Sequence, residues 1–171
     1  MTRTANSEPI CIVEHDCAST LCLFLDFDGV THPEPCKREL EFCCLPLIEE
    51  VLLEFPPVQI VISSSWREHY DLEQIRGFFA IDLRPRVIGV TASINRPSAD
   101  WLPGSASQYV REWECDAWMK QHCDWGTPWL AIDDRAHWFR PECADLLLTD
   151  SKSGFRVEDQ EILRQMLGER T

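Results

Sequence analysis

The segment Leu-Phe-Leu-Asp-Phe-Asp-Gly-Val sets two carboxylates, Asp26 and Asp28, one residue apart at the end of an apolar run. If that run is a buried strand, both acids project into one crevice, where their repulsion is costly unless a cation lies between them. Oxygen ligands alone suit a hard ion such as Mg2+, which keeps several waters and binds substrate phosphate. A second apolar run ends in Ser63-Ser64-Ser65-Trp66-Arg67, and a later one in Asp133-Asp134-Arg135. Asp133 would add a third oxygen ligand. Aspartate also makes turns and caps helices, so any one of these residues alone reads as a cap. Three at the ends of different buried runs are harder to explain that way.

The chemistry these groups allow is attack of a carboxylate on a phosphate. Aspartate is ionised at neutral pH and, unlike serine, needs no base to become a nucleophile. Asp26 is therefore the expected nucleophile, and Asp28 the acid that protonates the leaving oxygen and later takes a proton from water. Gly29 allows a sharp turn beside the phosphate. The hydroxyl of Ser64 or Ser63 can hydrogen-bond a phosphoryl oxygen, and backbone N–H groups at the start of the next helix would add anion affinity.

These groups need a scaffold that brings strand ends together. Residues 21–25, 58–62, 87–90, 129–132 and 145–148 are short apolar runs of strand length. Between them lie helical patterns at 46–55, 66–79 and 106–123, and an amphipathic helix at 157–167 follows, with Gly168 as its expected C-cap. Residues 91–105 are rich in Pro, Ser and Gly and read as a loop or small insertion. Strands alternating with helices predict an α/β fold around a mainly parallel five-stranded sheet, which binds ligands at the carboxyl ends of its strands.

The chain has 171 residues, a hydrophobic fraction of 44% and a charged fraction of 26%. This predicts one globular domain over 21–171 behind an irregular arm at 1–20, and argues against disordered or fibrous classes. The net charge of −13 repels nucleic acid and anionic lipid, so a polyanionic substrate would need a local basic patch. Nine cysteines, an odd number in a chain of this size, fit reduced thiols in the cytosol better than a disulfide framework. There is no apolar stretch near the roughly 20 residues of a membrane span, so a cytoplasmic location without membrane contact is expected.

In order and spacing, Leu-Phe-Leu-Asp-Phe-Asp-Gly-Val-Thr, Val-Ile-Ser-Ser-Ser-Trp-Arg and Leu-Ala-Ile-Asp-Asp-Arg resemble the motifs of the haloacid dehalogenase (HAD) superfamily of phosphatases. The details look most like the branch named for Swiss Army Knife RNA-repair proteins of bacteria, and the resemblance spans about residues 21–150. It implies a Rossmann-like three-layer sandwich and a Mg2+-dependent phosphomonoesterase that forms an aspartyl-phosphate. By resemblance, Asp26 is nucleophile and metal ligand, and Asp28 is acid/base with its backbone carbonyl on the metal. Asp133 is a further metal ligand and Asp134 a supporting acid or alternate ligand. Ser64 is favoured over Ser63, because a small residue precedes the hydroxyl in the family. The family also needs a cation before the fourth strand. Arg111, 22 residues before Asp133, fits better than Lys120, 13 before it, although a helix arginine paired with Glu112 or Glu114 at the surface is the plain alternative.

The remaining signals are weaker. Arg67 would clamp phosphate or, the preferred role, brace an acid of the motifs. His32-Pro33 would touch substrate or only make a turn. The cysteines lack the paired spacing of structural zinc sites and read mainly as small buried hydrophobes. Of the seven tryptophans, Trp129 and one of Trp113 or Trp118 read as core, and Trp101 as a substrate contact. The spacing of the motifs leaves room for a minimal cap or none. Such an open site, in this family, implies a polynucleotide end, a nucleotide or a phosphoprotein as substrate. The rivals are an inactive domain of the same fold used for binding or assembly, and a small-molecule phosphatase whose site a partner subunit covers.

Overall fold

The computed structural model describes residues 21–93 and 109–171. The expected arm at 1–20, Trp101 and most of the 91–105 loop lie outside these residues. Five strands, β1 (Cys22–Leu25), β2 (Gln59–Ile62), β3 (Val87–Val90), β4 (Trp129–Asp133) and β5 (Leu146–Leu148), form one sheet in the order β3-β2-β1-β4-β5. Every neighbouring pair is parallel. The helices are α1 (Leu45–Glu54), α2 (Leu72–Arg76), α3 (Val110–His122) and α4 (Val157–Gly168).

Alternation along the strands divides the side chains between two cores. Leu23 and Leu25 of β1 join Ile60, Ile62, Leu130, Ile132 and Leu147 on one face, where α1, α2 and α4 contribute Ile48, Val51, Leu52, Ile75, Leu163 and Leu167. Cys22, Phe24, Val61 and Ala131 face the other way, onto Cys115 and Trp118 of α3 and Phe139. All four residues of β1 are buried, as a central parallel strand covered on both faces requires. The result is the three-layer α/β sandwich that the alternation of strands and helices predicts.

Local structure departs from expectation in two places. The segment 66–79 is not one helix: a 3-10 turn at Ser65–Glu68 is followed by α2, which begins at Asp71 with a reciprocal capping box to Gln74. A capping box starts a helix, so it splits the pattern there. Gly168 is the last residue of α4 rather than its cap, because Glu169 follows with helical geometry at φ −76°. Trp118 takes the core position on α3, while Trp113 is 44% exposed.

Between β1 and α1 the chain makes turns, one of them a 3-10 turn at Arg38–Leu40, and an isolated bridge between Asp28 and His32. Among the described residues, no helix is long and apolar enough to cross a membrane.

Candidate active site

Backbone pairing continues one residue past the strands and fixes what stands at their carboxyl ends. The N–H of Asp26 donates to the Ile132 carbonyl at 3.1 Å, and that of Ser63 to the Leu25 carbonyl at 3.0 Å. Asp26, Ser63 and Ser64 are buried at this edge, with Asp133, the last residue of β4.

The Asp26 carboxylate is held from several sides. Its Oδ1 accepts the Phe27 N–H at 2.8 Å, the Ser64 hydroxyl beside it favours its charged form, and its Oδ2 lies 4.0 Å from Arg111 Nη2. Burial nonetheless dominates and raises its pKa, with Arg111, Phe27 and Ser64 opposing. The hydroxyl brought to the aspartate is thus that of Ser64, while the carbonyl of Ser63 accepts from Arg67.

Asp133 is fully buried. Its Oδ1 takes the Arg135 N–H at 2.8 Å, and burial, reinforced by Asp26, lifts its pKa to about 8. Its Oδ2 lies 3.2 Å from Arg111 Nε, yet the two are out of line and neither atom makes a hydrogen bond; both oxygens of Asp134 are likewise buried without one. Asp26, Asp133 and Asp134 each offer an oxygen within 4.8 Å of the others. An all-carboxylate set with orphaned oxygens fits a hard divalent cation, whose charge would relieve the repulsion that burial aggravates. Asp134, expected as a supporting acid or alternate ligand, belongs to this cluster, and the Asp28 carboxylate does not.

The Asp28 carboxylate turns instead toward two ring donors. Trp66 Nε1 donates to Oδ2 at 3.0 Å, and His32 Nε2 lies 3.2 Å from Oδ1. The N–H of Phe42 donates to His32 Nδ1, which leaves the proton of a neutral ring on Nε2, facing Asp28. The His32 bond above all, and that of Trp66, lower the Asp28 pKa against burial. His32 is therefore a buried partner of Asp28 rather than a solvated turn residue.

Arg111 is 5% exposed, with its guanidinium 5.0 Å from the Trp138 ring centre. Burial works against its charge, but Asp26, Asp133 and Glu114 outweigh it and raise its pKa. The pairing with Glu114 is present at 3.2 Å, not at the surface but beside Asp26. Lys120 stands near the other end of α3, on Asp116. Arg67 braces, as expected, though its acid is Glu114 rather than a motif aspartate.

A model of the HAD domain in Swiss Army Knife RNA repair proteins matches residues 22–160. The chain belongs to this HAD family. Neither the curated proteins nor the solved structures contain a match. Membership supports a HAD-type, phosphatase-like function in general, and the acidic cluster has the chemistry of the Mg2+ sites typical of HAD domains. Sequence reasoning missed three groups in this HAD site: the Trp66 and His32 donors to Asp28, and Glu114. Trp66 follows the serine run directly, and Glu114 lies one helical turn beyond Arg111, spacings that place each beside a named site residue.

Proposed function

We propose that the protein is a Mg2+-dependent phosphomonoesterase working through an aspartyl-phosphate on Asp26. One observation carries this reading: the Asp26 carboxylate lies within reach of a buried guanidinium, the Ser64 hydroxyl and two further carboxylates.

The carboxylates of Asp26, Asp133 and Asp134, with the backbone carbonyl of Asp28, would hold the ion. When bound, it neutralises charge on the carboxylates and on the phosphate. Arg111 and Ser64 orient the phosphoryl oxygens, and an Asp26 oxygen attacks phosphorus as the bond to the leaving oxygen breaks. Asp28 supplies the proton to that oxygen. The arriving phosphate dianion favours protonation of Asp28, which His32 and Trp66 otherwise keep ionised. Water then attacks phosphorus, Asp28 takes its proton, and phosphate leaves as Asp26 is restored.

Polynucleotide ends are the first choice of substrate, followed by nucleotides and phosphoproteins. The RNA repair proteins named by the family support that order, and the half-exposed Arg135, beside Asp134, is a cation that a polyanion would meet. Hydrolysis of an aryl phosphate with Mg2+ tests the activity: wild type turns over and Asp26→Asn is inert, whereas equal rates would falsify the nucleophile. A panel of 3′- and 5′-phosphorylated oligonucleotides, mononucleotides and phosphopeptides tests the order, which fails if phosphopeptides are the best substrates.

A further inference from the structure

Glu114 lies at the centre of a buried chain of charges that the phosphatase chemistry does not itself use. Its Oε1 and Oε2 accept from Arg67 Nη2 at 3.0 and 3.1 Å, and Oε2 also accepts from Arg111 Nη1 at 3.2 Å. The three side chains are 6–7% exposed. Arg67 Nη1 in turn donates to the carbonyl of Ser63, so the chain runs from the end of β2 through Arg67 and Glu114 to Arg111, and from there to Asp26 and Asp133. Arg111 and Glu114 share one face of α3 at a spacing of three residues, while Arg67 comes from the turn after β2.

The same geometry limits how far Arg111 can move. Its Nε already lies 3.2 Å from Asp133 Oδ2, and a direct ion pair with Asp26 as well would occupy the oxygen that attacks phosphorus. Glu114 holds a different nitrogen of the guanidinium, Nη1, at 3.2 Å, while Arg111 Nη2 stays 4.0 Å from Asp26 Oδ2, beyond hydrogen-bond length. It also separates two buried guanidinium groups whose charges oppose each other. Removing one partner of such a buried set leaves an uncompensated charge, so the others rearrange.

We infer that Glu114 is a positioning residue that holds the Arg111 guanidinium poised beside Asp26 for a phosphoryl group rather than collapsed onto the Asp26 carboxylate. This rests on the phosphomonoesterase reading of the site. Its effect passes through Arg111, so the two residues act as one unit.

The test uses the full chain with Mg2+ and two readouts, aryl-phosphate turnover and calorimetric binding of inorganic phosphate, each expressed per folded molecule after a thermal melt. Glu114→Gln keeps the shape and loses the charge; it is expected to lower kcat/KM and phosphate affinity by about 10- to 100-fold, as loss of an outer-shell partner does. Glu114→Asp recovers part of that loss. In an Arg111→Met background, Glu114→Gln costs nothing further, because a positioning residue has nothing left to position. Losses that add in the double variant, or a Gln variant that melts lower yet binds phosphate as wild type does, would overturn the inference. If Glu114→Gln does not fold, unchanged phosphate binding by Glu114→Asp overturns it equally. Failure of the wild type to bind phosphate or turn over would instead sink the phosphatase reading, and the inference with it.

Discussion

The carboxylate of Asp134 occupies the space that a side chain on Gly29 would need. A Cβ at Gly29 would stand 2.5 Å from Asp134 Oδ2 and 2.6 Å from its Cγ, and the residue has φ +72°. Glycine here does two things: it turns the chain after Asp28 and lets an acid from the end of β4 close against the end of β1. The carbonyl of Gly29 accepts the Thr149 hydroxyl at 2.8 Å, which ties this turn to the end of β5 as well.

Gly29→Ala is accordingly expected to strain the backbone, at about 1–3 kcal/mol, and to push Asp134 out of the cluster. Urea unfolding measures the first effect and Mg2+ titration calorimetry the second. A variant that binds Mg2+ as tightly as wild type would show that Asp134 is not a ligand.

Metal binding should release protons. Burial raises the pKa values of both Asp26 and Asp133, the latter to about 8, so at pH 7 the metal-free fold holds a proton on Asp133 that a cation must displace. Mg2+ affinity therefore rises between pH 6 and 8. The stability of the metal-free protein runs the opposite way. The Asp133 pKa is raised above its unfolded value, so its contribution is intact below about pH 4 and is lost as pH rises through about 8. Calorimetry in two buffers of different ionisation enthalpy, with melts at pH 6 and pH 8.5 with and without Mg2+, measures both. Affinity independent of pH would contradict the assignment.

Trp66→Phe keeps the aromatic packing against Phe27 and Phe42 and removes the N–H that bonds Asp28. That bond helps to lower the Asp28 pKa, so the pKa rises without it. Because the second half of the reaction needs Asp28 as a base, the acidic limb of the pH–rate profile should move to higher pH. A limb that stays in place would remove Asp28 from that role.

The parts of the site that could be read from sequence are those set by strand ends. Asp26, the Ser63-Ser64 pair and Asp133 each stand at the end of a continuous apolar run, and a buried parallel strand has only one direction in which to deliver them; the choice of Ser64 over Ser63 rests on the family resemblance. Groups brought together by the packing of one layer on another were not visible in this way. Glu114 reads as a surface partner of Arg111 on helical spacing alone, because nothing local shows that α3 presses this face against the turn carrying Arg67. Trp66 and His32 meet across Asp28 from segments more than thirty residues apart, so neither neighbourhood announces the pair. The single helix expected at 66–79 erred for a local reason: hydrophobic spacing continued through Asp71, but the capping box there begins a new helix.

The proposed chemistry depends most on a covalent bond between phosphorus and Asp26. Brief incubation of the protein and Mg2+ with a 32P-labelled substrate, followed by acid quench and peptide mapping, looks for that bond directly. A hydroxylamine-labile label is expected on the peptide containing Asp26, absent from Asp26→Asn. Turnover without label in the wild type, together with an Asp26→Asn variant that remains active, would contradict it.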